Sequence, residues 1–421
     1  MDADLPDGWT TKRVDQIARV VGGGTPSSET KRFWNGAIPF VTPTDLTALE
    51  GRYVSTTERS INEEGRKAAG LEVLPRGSVL LATRASIGLA ALSAVPVTTN
   101  QGFQNLVPLD GTDSLWLYYA ISHRQPELAR LAAGTTFREL SRKSLQALGL
   151  LVPPALEQRA IAEILDTIDK AIERTEAVIA ATERLREALL HELLTRGVPG
   201  WHSEWKEVPG LGPVPACWQA VTLGNVVRTT TYGTNRPLDG TGAVRVLRMN
   251  NLQQGELDLS DVRRADLSDD EVNDLDLARG DILFNRTNSL DLVGKVGIVR
   301  ELPQPTSFAS YLVRLRVRPE VVDPFWLSAM LASPDYQARI QRFATPGVSQ
   351  ANINPTSLKS LIIPLPGLEE QQETSRMLEA LRARSLTEGS EHSVLLAAKA
   401  AVGDALLTGR ARVPVSMVEP V

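Results

Sequence analysis

The chain has 421 residues and a formal net charge of −5, with 42% hydrophobic and 23% charged residues. This composition is typical of a globular protein of two or three domains, and the acidic balance argues against nucleic-acid binding through bulk positive charge. The single cysteine, Cys217, excludes an intrachain disulfide and is consistent with a reducing, cytoplasmic location. The acidic start Met1-Asp2-Ala3-Asp4 argues against a secretory signal, and no apolar run is long enough for a membrane span.

The chain contains an internal duplication. Residues 134–197 align with residues 347–410 at a constant offset of 213, and Pro6 and Trp9 match Pro215 and Trp218 at an offset of 209. Between these anchors the offset drifts, so the two copies share an order of matching positions but differ in the length and sequence of the segments between them. The duplication predicts two copies of one structural unit.

In chain order, each copy begins with short strand candidates between turn-forming residues and continues with a short helix. In the first copy the strands are predicted at Ala37–Val41, Ser78–Ala82 and Gln104–Val107, and the helix at about Ser114–Ser122. In the second copy the strands are predicted at Val244–Leu247, Asp281–Phe284 and Leu312–Leu315, and the helix at about Pro324–Ala332.

Each copy ends in a long predicted helix. The first follows Pro153-Pro154 and ends at Thr195-Arg196-Gly197, and the second runs from Pro366-Gly367 to near Thr408-Gly409. Apolar residues recur along both at heptad-like spacing, and the positions assigned to a helix-pair interface are Ile161, Ile164, Ile168, Val178, Leu185, Leu189, Met377, Leu381, Leu395 and Val402. The polar run Thr387–Ser393 predicts a weakly packed or kinked middle in the second helix. Either the two apolar stripes pack on each other, or each is buried on its own domain.

Several motifs occur in a fixed order along this frame. They are Pro6-Asp7-Gly8-Trp9, Gly23-Gly24-Thr25-Pro26-Ser27, Leu80–Gly88, Thr99-Asn100-Gln101-Gly102-Phe103 and the proline and Glu-Gln pair at the start of each long helix. Together with the duplication and the long helices, they make almost the whole chain resemble the DNA-specificity subunits of type I restriction–modification systems. The second copy departs from the motifs, with Tyr232-Gly233-Thr234-Asn235-Arg236 at its opening and Ser310-Tyr311 where the first copy has Asn-Gln-Gly-Phe.

The resemblance implies an α+β fold with two mixed α/β target-recognition domains in a pseudo-twofold repeat, separated by two long antiparallel helices that form a coiled coil. The implied boundaries are 1–155 and 198–367 for the recognition domains, 156–197 and 368–410 for the helical regions, and 411–421 for a short tail. Each recognition domain would read one half of a bipartite site in double-stranded DNA, and the helices would set the unread gap.

The resemblance also implies partners. Two methyltransferase (modification) subunits would dock on the helical regions and carry S-adenosylmethionine and the chemistry, and motor-nuclease restriction subunits would join them. This chain itself would be non-catalytic and hold no cofactor and no metal. Two alternatives stay open: a specificity subunit of a combined nuclease–methyltransferase of type IIB kind, and a duplicated coiled-coil scaffold that reads no DNA.

Base readout requires guanidinium groups and amides near the DNA, because Arg pairs bidentately with guanine, and Asn or Gln with adenine. The candidates in the first copy are Thr44, Arg84, Ser86, Asn100, Gln101 and Gln104, and those in the second are Arg248, Asn250, Asn251, Arg286, Asn288 and Tyr311. We expect Arg84 and Arg286 to matter most, since each follows a predicted strand at an equivalent place in its copy. Asn100-Gln101-Gly102 is equally consistent with a structural turn.

The sequence contains no convincing catalytic set. None of the four histidines is spaced to pair with Cys217 or with carboxylates as a metal site would need, and Gly22-Gly23-Gly24 lacks the lysine of a P-loop. Asp323-Pro324-Phe325-Trp326 only partly matches an amino-methyltransferase motif. Glu29-Thr30-Lys31 matches a nuclease motif formally but lies in a turn-rich segment. The sequence therefore leaves little room for an enzyme.

Overall fold

The structure, a computed structural model, describes residues 5–84, 86–132, 139–238, 240–347 and 350–413. The chain divides into two compact units: unit 1 comprises Met1–Val178 and Glu388–Val421, and unit 2 comprises Ile179–Thr387. Each unit contains one mixed α/β region and one stretch of each of the two long helices. In the part of the chain that the structure describes, no helix is long and apolar enough to cross a membrane.

The elements of the first copy are short except for its last helix. Its strands are β1 (Thr10–Arg13), β2 (Ala18–Gly22), β3 (Trp34–Val41), β4 (Tyr53–Val54), β5 (Arg59–Ile61), β6 (Val79–Ala82), β7 (Ala90–Ser93), β8 (Thr98–Thr99), β9 (Phe103–Pro108) and β10 (Gly149–Val152). Its helices are α1 (Val14–Ile17), α2 (Pro43–Thr47), α3 (Glu63–Ala68), α4 (Ser114–His123), α5 (Gln125–Leu131), α6 (Arg142–Ala147) and α7 (Ala155–Thr195), with a 3-10 turn at Lys31–Phe33.

Unit 1 is built on a five-stranded sheet of order β2-β9-β6-β7-β4, accompanied by the sheet β5-β3-β8 and the pair β1-β10. Both faces of the central strand β6 are buried, because Val79 and Leu81 pack with α4 and α7 while Leu80 and Ala82 pack into a second cluster on the opposite face. Successive side chains of a strand point to opposite faces, so a continuous apolar run such as this indicates a sheet covered on both sides.

The second copy repeats this list with additions. Its strands are β11 (Trp205–Val208), β12 (Gly212–Pro215), β13 (Gln219–Thr222), β14 (Val227–Tyr232), β15 (Val244–Leu247), β16 (Leu252–Gln253), β17 (Glu256–Leu257), β18 (Arg263–Ala265), β19 (Ile282–Asn285), β20 (Thr287–Asn288), β21 (Val296–Ile298), β22 (Thr306–Phe308), β23 (Leu312–Val317), β24 (Ala344–Pro346), β25 (Ala351–Ile353) and β26 (Ile362–Leu365). Its helices are α8 (Leu223–Val226), α9 (Asp269–Asp274), α10 (Pro324–Ala332), α11 (Pro334–Gln341), α12 (Pro355–Leu358) and α13 (Leu368–Leu407), with a 3-10 turn at Met249–Asn251.

The strand order confirms the duplication. In unit 2 the main sheet has the order β14-β23-β19-β21, which repeats β2-β9-β6-β7, and the sheet β18-β15-β22 repeats β5-β3-β8. The pair β13-β26 likewise repeats β1-β10. Among the described residues, the sheet β20-β25-β24 of unit 2 has no counterpart in unit 1. The predicted strands and the short helices at α4 and α10 are therefore present in both copies, each helix with a fully buried tryptophan, Trp116 or Trp326.

The Glu-Gln pair that opens each long helix fastens that helix to the domain before it. In unit 1 the indole of Trp9 donates to Glu157 (3.0 Å), and Gln158 accepts from the amide of Asp113 and donates to Pro153. Unit 2 repeats these bonds with Trp218 and Glu370 (2.8 Å), and with Gln371, Asp323 and Pro366. The duplicated motif residues are therefore structural, since their buried side chains make the same hydrogen bonds to the preceding domain in both units.

The two long helices run antiparallel within each unit. In unit 1, Leu165 lies against Gly403, Asp169 pairs with Lys399 (2.6 Å) and Glu176 contacts His392 (3.0 Å). Residue numbers therefore rise along α7 while those of the contacting residues fall along α13. In unit 2, Glu183 accepts from Ser385 at 2.9 Å, and Val198, just beyond α7, donates to Glu370 near the start of α13. Both helices have the predicted bounds to within two residues, and α13 is continuous through the polar run Thr387–Ser393, for which a weakly packed or kinked middle was predicted.

Two of the positions assigned to the helix-pair interface are wrong. Val178 is 39% exposed and Leu185 is 54% exposed, whereas Ile172 and Thr182 are buried. The heptad spacing places Val178, Thr182 and Leu185 on one stripe, and of these three only the polar Thr182 is buried. Of the other assigned positions, Ile161 is fully buried, and Ile164, Ile168, Leu189, Met377, Leu381, Leu395 and Val402 are half-buried.

A buried ionic cluster joins the sheet of unit 1 to α7. Arg52 lies beside β4 and pairs with Asp166, with Asp169 (3.6 Å) and with Glu173 (2.8 Å), while the hydroxyl of Tyr119 donates to Asp169 (2.8 Å). Burial would lower the pKa of Arg52, but the hydrogen bond to Asp166 and the nearby negative charges outweigh burial and raise it. Burial would likewise raise the pKa of Asp166, but its hydrogen bonds with Lys170 and Arg52 hold it below its ordinary value.

Candidate nucleic-acid interface

In unit 1, Asn100 and Gln101 form part of a turn between β8 and β9. The side-chain oxygen of Asn100 accepts from the backbone amide of Gly102 (2.9 Å), and the backbone amide of Asn100 donates to the carbonyl of Val41. Gln101 is exposed and its side-chain oxygen accepts from the hydroxyl of Thr25. The amide group of Asn100 thus stabilises the turn, as the structural alternative for this motif predicted, whereas Gln101 presents its side chain at the surface.

The remaining candidates of unit 1 lie at neighbouring strand ends. Thr44 is exposed in α2, and Ser86 is half-buried in the turn after β6. Arg84 is exposed but forms an ion pair with Glu139 (Nε to Oε1, 3.1 Å). Gln104, in β9, has a buried side-chain oxygen without a hydrogen-bond partner among the described residues. An exposed ion pair contributes little energy, so another acceptor can replace Glu139 as the partner of Arg84 at little cost.

In unit 2, Arg248, Asn250 and Asn251 lie around one loop that is closed by Asp261. The guanidinium group of Arg248 donates to Asp261 (2.7 Å), and the exposed side chain of Asn250 reaches the same carboxylate at 3.4 Å. Asn251 is only 1% exposed, its amide nitrogen donates to the carbonyls of Asp258 and Asp261, and its oxygen accepts from the amide of Arg248. The prediction of a base contact by Asn251 is therefore wrong, because every polar atom of this amide is used within the loop.

Arg286 stands out among the candidates of unit 2. Its backbone is fixed on both sides, because its amide donates to the carbonyl of Tyr311 (3.0 Å) and its carbonyl accepts from Ile353 (2.8 Å). Its guanidinium group lies over the ring of Tyr232, 5.1 Å from the ring centroid, and its Nε is buried without a hydrogen-bond partner. Within the described part of the chain, no carboxylate pairs with this side chain. Asn288, two residues on, is half-buried and bonded to the following amide.

The register of the main sheet explains why Tyr232 and Arg286 meet. Tyr232 and Phe284 both pair with Val313, so their side chains share one face of the sheet. Arg286 is two residues beyond Phe284 and returns to that face, because side chains alternate along a strand. Tyr232 is 50% exposed and Tyr311 is 42% exposed, so the core ends here and an aromatic surface begins. We call Tyr232, Arg286 and Tyr311 the arginine platform.

Arg84 and Arg286 are not equivalent, contrary to the expectation from the sequence. Thr83 donates its amide to the carbonyl of Gly102 just as Arg286 does to Tyr311, so Thr83 is the counterpart of Arg286. A shift of one residue moves a side chain to the other face of a sheet, so Arg84 and Arg286 point differently. Gly22 pairs with Gln104 as Tyr232 does with Val313, so unit 1 has Gly22, Thr83 and Gly102 where unit 2 has its arginine platform.

Two other arginines of unit 2, Arg236 and Arg316, are neutralised within the protein. Arg236 pairs with Glu271 (3.0 Å), and the hydrogen bond from Arg236 lowers the pKa of Glu271 to about 2. Arg316 pairs with Asp281 (2.9 Å), and that hydrogen bond raises the pKa of Arg316. The structure therefore brings Arg286, Tyr232 and Tyr311 together and holds Arg248 and Asn250 in a separate polar loop.

The structure gives the other chemical motifs structural roles. Asp323 caps α10 by accepting from the amides of Phe325 and Trp326, which accounts for the partial methyltransferase motif. His202 does contact Cys217 (3.5 Å) and Glu370 (2.6 Å), a pairing that sequence spacing missed because the three residues come together only through the fold. Among the described residues, no group of three or more His, Cys, Asp or Glu side chains is arranged to hold a metal ion.

The duplicated geometry matches one known family. The family model of the type I restriction modification DNA specificity domain matches the chain twice, over residues 6–184 and 215–395. The chain belongs to this type I specificity family. The two matches together cover most of the chain and coincide with its two copies, and each includes the tryptophan and the Glu-Gln pair that fasten a long helix to its domain.

Known specificity subunits are similar along the chain. The MjaIX specificity subunit of Methanocaldococcus jannaschii is 34% identical over 236 residues, which are 55% of this chain and 54% of that protein. The MjaVIII specificity subunit of the same organism is 24% identical and covers 97% of this chain and 94% of its own length. The EcoBI specificity subunit of Escherichia coli is 24% identical, covering 90% and 80% respectively.

Solved structures share the fold. The type I restriction–modification S subunit from M. genitalium superposes with a TM-score of 0.59 at 15% identity, covering 97% of each chain. A chain from a study of the assembly and conformational transition of the type I system gives a TM-score of 0.57 at 17% identity and covers 97% of this chain. The fold of type I specificity subunits, two mixed α/β domains with long antiparallel helices, is therefore the fold of this chain.

Proposed function

We propose that this chain reads a bipartite DNA site, one half with each unit, and directs a DNA adenine methyltransferase to it. The observation that carries this proposal is the pairing of a duplicated scaffold with unlike surfaces. The helix-fastening bonds of Trp9 and Trp218 are the same in both copies, whereas the strand ends beside the main sheets differ at every position of the arginine platform. A repeated frame with unlike recognition surfaces suits two half-sites of different sequence.

The long helices supply candidate docking surfaces for two methyltransferase subunits. Val394 and Leu396 in unit 1, and Leu185 and Leu386 in unit 2, are large apolar side chains that are 46–64% exposed. Large apolar side chains exposed on a helix are candidate contacts with a partner protein, and Val394 and Leu396, two positions apart, lie on different faces of α13. Since each unit carries one such pair, we propose that each binds one modification subunit, and that motor-nuclease restriction subunits can join the complex.

We propose that this chain is not itself an enzyme and that S-adenosylmethionine binds in the modification subunit. With 45 basic and 50 acidic side chains, the chain neutralises few phosphates by itself. The modification subunits would then supply most of the contacts with the DNA backbone, and this chain would supply the sequence preference. Such a complex would act on chromosomal DNA in the cytoplasm.

The test is purification of the complex from the source cells through a tag on this chain. We expect a methyltransferase to copurify, and the complex to transfer labelled methyl groups from S-adenosylmethionine to adenines of unmethylated DNA. Leu386→Glu should reduce recovery of the methyltransferase, and Ile362→Glu, an exposed apolar position on β26, is the matched control. Recovery of the chain without any methyltransferase would favour a scaffold, and a partner with nuclease and methyltransferase in one polypeptide would indicate the type IIB alternative.

A further inference from the structure

The arginine platform has an unused binding capacity. Four other arginines of unit 2 are bound to carboxylates: Arg236 to Glu271, Arg300 to Glu256, and Arg314 and Arg316 to Asp276. Arg286 has no such partner among the described residues, and its Nε is buried and unpaired. Arg52, Arg248 and Arg314 also have an unpaired Nε, but their terminal nitrogens bind carboxylates. The terminal nitrogens of Arg286 have no such acceptor among the described residues, so they are the groups that an external acceptor would meet.

The shape of the site favours a base edge over a phosphate. Tyr232 lies against the guanidinium group and limits its rotation, and the strand bonds to Tyr311 and Ile353 fix the backbone. A planar group held in one orientation suits the two acceptors of a guanine edge, O6 and N7, which arginine contacts bidentately. The neighbouring polar groups are neutral, namely Thr287 and Asn352, which are hydrogen-bonded to each other at 3.3 Å, whereas a phosphate site usually gathers several cations.

We propose that Arg286, positioned by Tyr232, reads a guanine in the half-site of unit 2. Unit 1 has Gly22, Thr83 and Gly102 at the corresponding places, and Thr83 is buried with its hydroxyl bonded to Gly102. Unit 1 therefore reads its half-site without an equivalent guanidinium. This inference rests on the proposed function, because it assigns the base read by a surface already proposed to face DNA.

The direct test removes one acceptor from the DNA. Methylation sequencing of the source cells gives the recognised motif, and duplexes carrying it are made with 7-deazaguanine, which lacks N7, at one guanine at a time. Affinity is measured for the tagged complex from the source cells. We expect one position in one half-site to be sensitive, with affinity lower by about 2- to 12-fold, half the free energy of a good bidentate contact, because O6 remains available to the arginine.

Variants then connect that position to Arg286. Arg286→Gln should weaken binding to the unmodified duplex and abolish sensitivity to 7-deazaguanine at that one position. Arg339→Gln is the matched control, because Arg339 also lies over a tyrosine of unit 2, Tyr336, at 4.9 Å from its ring centroid, but belongs to α11. Tyr232→Ala should reduce the sensitivity and Tyr232→Phe should retain it, which a general loss of structure would not do. If Arg286→Gln binds too weakly to measure, Tyr232→Ala supplies the same comparison.

The inference is overturned if the motif has no guanine in either half-site, if no guanine is sensitive, or if Arg286→Gln or Tyr232→Ala keeps the full sensitivity of the unaltered complex. These results differ from failure of the proposed function. In that case the complex would carry no methyltransferase, or no methylated motif in the cells would depend on this chain.

Discussion

Arg52 is the most informative single residue for the stability of unit 1. Its guanidinium group is 4% exposed and pairs with three carboxylates of α7, at Asp166, Asp169 and Glu173. Replacing Arg52 with alanine leaves these carboxylates near the sheet without their shared cation. We expect unit 1 to lose stability and its contact between β4 and α7 to open, with the globular part of unit 2 unchanged.

The structure also limits the size of the loss. Removing one partner of a buried ion pair costs about 3–5 kcal/mol. Asp166 keeps Lys170 at 2.7 Å and Asp169 keeps Lys399 at 2.6 Å, so neither carboxylate loses all positive charge. Glu173 is 41% exposed and contributes little. We therefore expect about 3 kcal/mol, the lower end of that range.

Hydrogen exchange of the purified full-length chain, read by peptide mass spectrometry, measures this change unit by unit. Amides of β4, β7 and the first part of α7 should exchange roughly 100-fold faster in Arg52→Ala, and amides of β19 and β23 should not change. Arg13→Ala, which breaks an exposed pair with Asp15, should stay within about 1 kcal/mol of the unaltered protein. A change below about 1 kcal/mol for Arg52→Ala, or an equal change in both units, would refute the proposed role of the cluster.

Three further variants test other parts of the structure. The pKa of Asp166 is lowered in the folded state, so its contribution to the stability of unit 1 is present above the unfolded pKa, near 4, and is lost as the pH falls through the folded pKa. Asp166→Asn should therefore flatten the dependence of the stability of unit 1 on pH between about pH 5 and 3. An unchanged loss of stability with falling pH, measured in denaturant titrations, would contradict this. Asn251→Ala should cost about 1–3 kcal/mol and leave the methylated motif unchanged, because its amide bonds are internal; a changed motif would restore it as a base contact. Gly242→Ala should destabilise unit 2 by more than about 1 kcal/mol, because a Cβ there overlaps the backbone of Ala265. Its control, Gly367→Ala, places a Cβ that meets nothing within 4 Å and should leave the stability nearly unchanged. Equal melting temperatures for the two variants in thermal unfolding would contradict the packing at Gly242.

The duplication and the long helices could be predicted from the sequence because both leave periodic signals. The proline before α7 and the basic residue and glycine after it mark its ends, and the helix runs from Ala155 to Thr195 as those signals indicate. The positions at the helix-pair interface were harder to predict from the sequence. A buried Thr182 and an exposed Leu185 reverse the simple correlation of apolarity with burial, and only packing against the facing helix decides between them.

The candidate site depended on strand register, which an alignment of the two copies indicates in part and which the strand order of the fold decides. Alignment through Gly77 and Gly280 would place Thr83 opposite Arg286, but the two arginines were matched by residue type instead. Tyr232 was visible as a departure from the glycine-rich opening of the first copy, yet its contact with Arg286 needs the strand order β14-β23-β19. Asn251 looked like a surface amide in a turn, and its burial follows from the loop closing around it.

The most direct test of the central claim is methylation sequencing of the source cells with and without this gene, followed by restoration of the gene on a plasmid. The account predicts that methylation disappears at one interrupted, bipartite adenine motif and returns on restoration. It also predicts that Arg286→Gln changes only one half of that motif. A methylome that is unchanged in cells where the methyltransferase complex is present and active would contradict the claim that this chain selects the target.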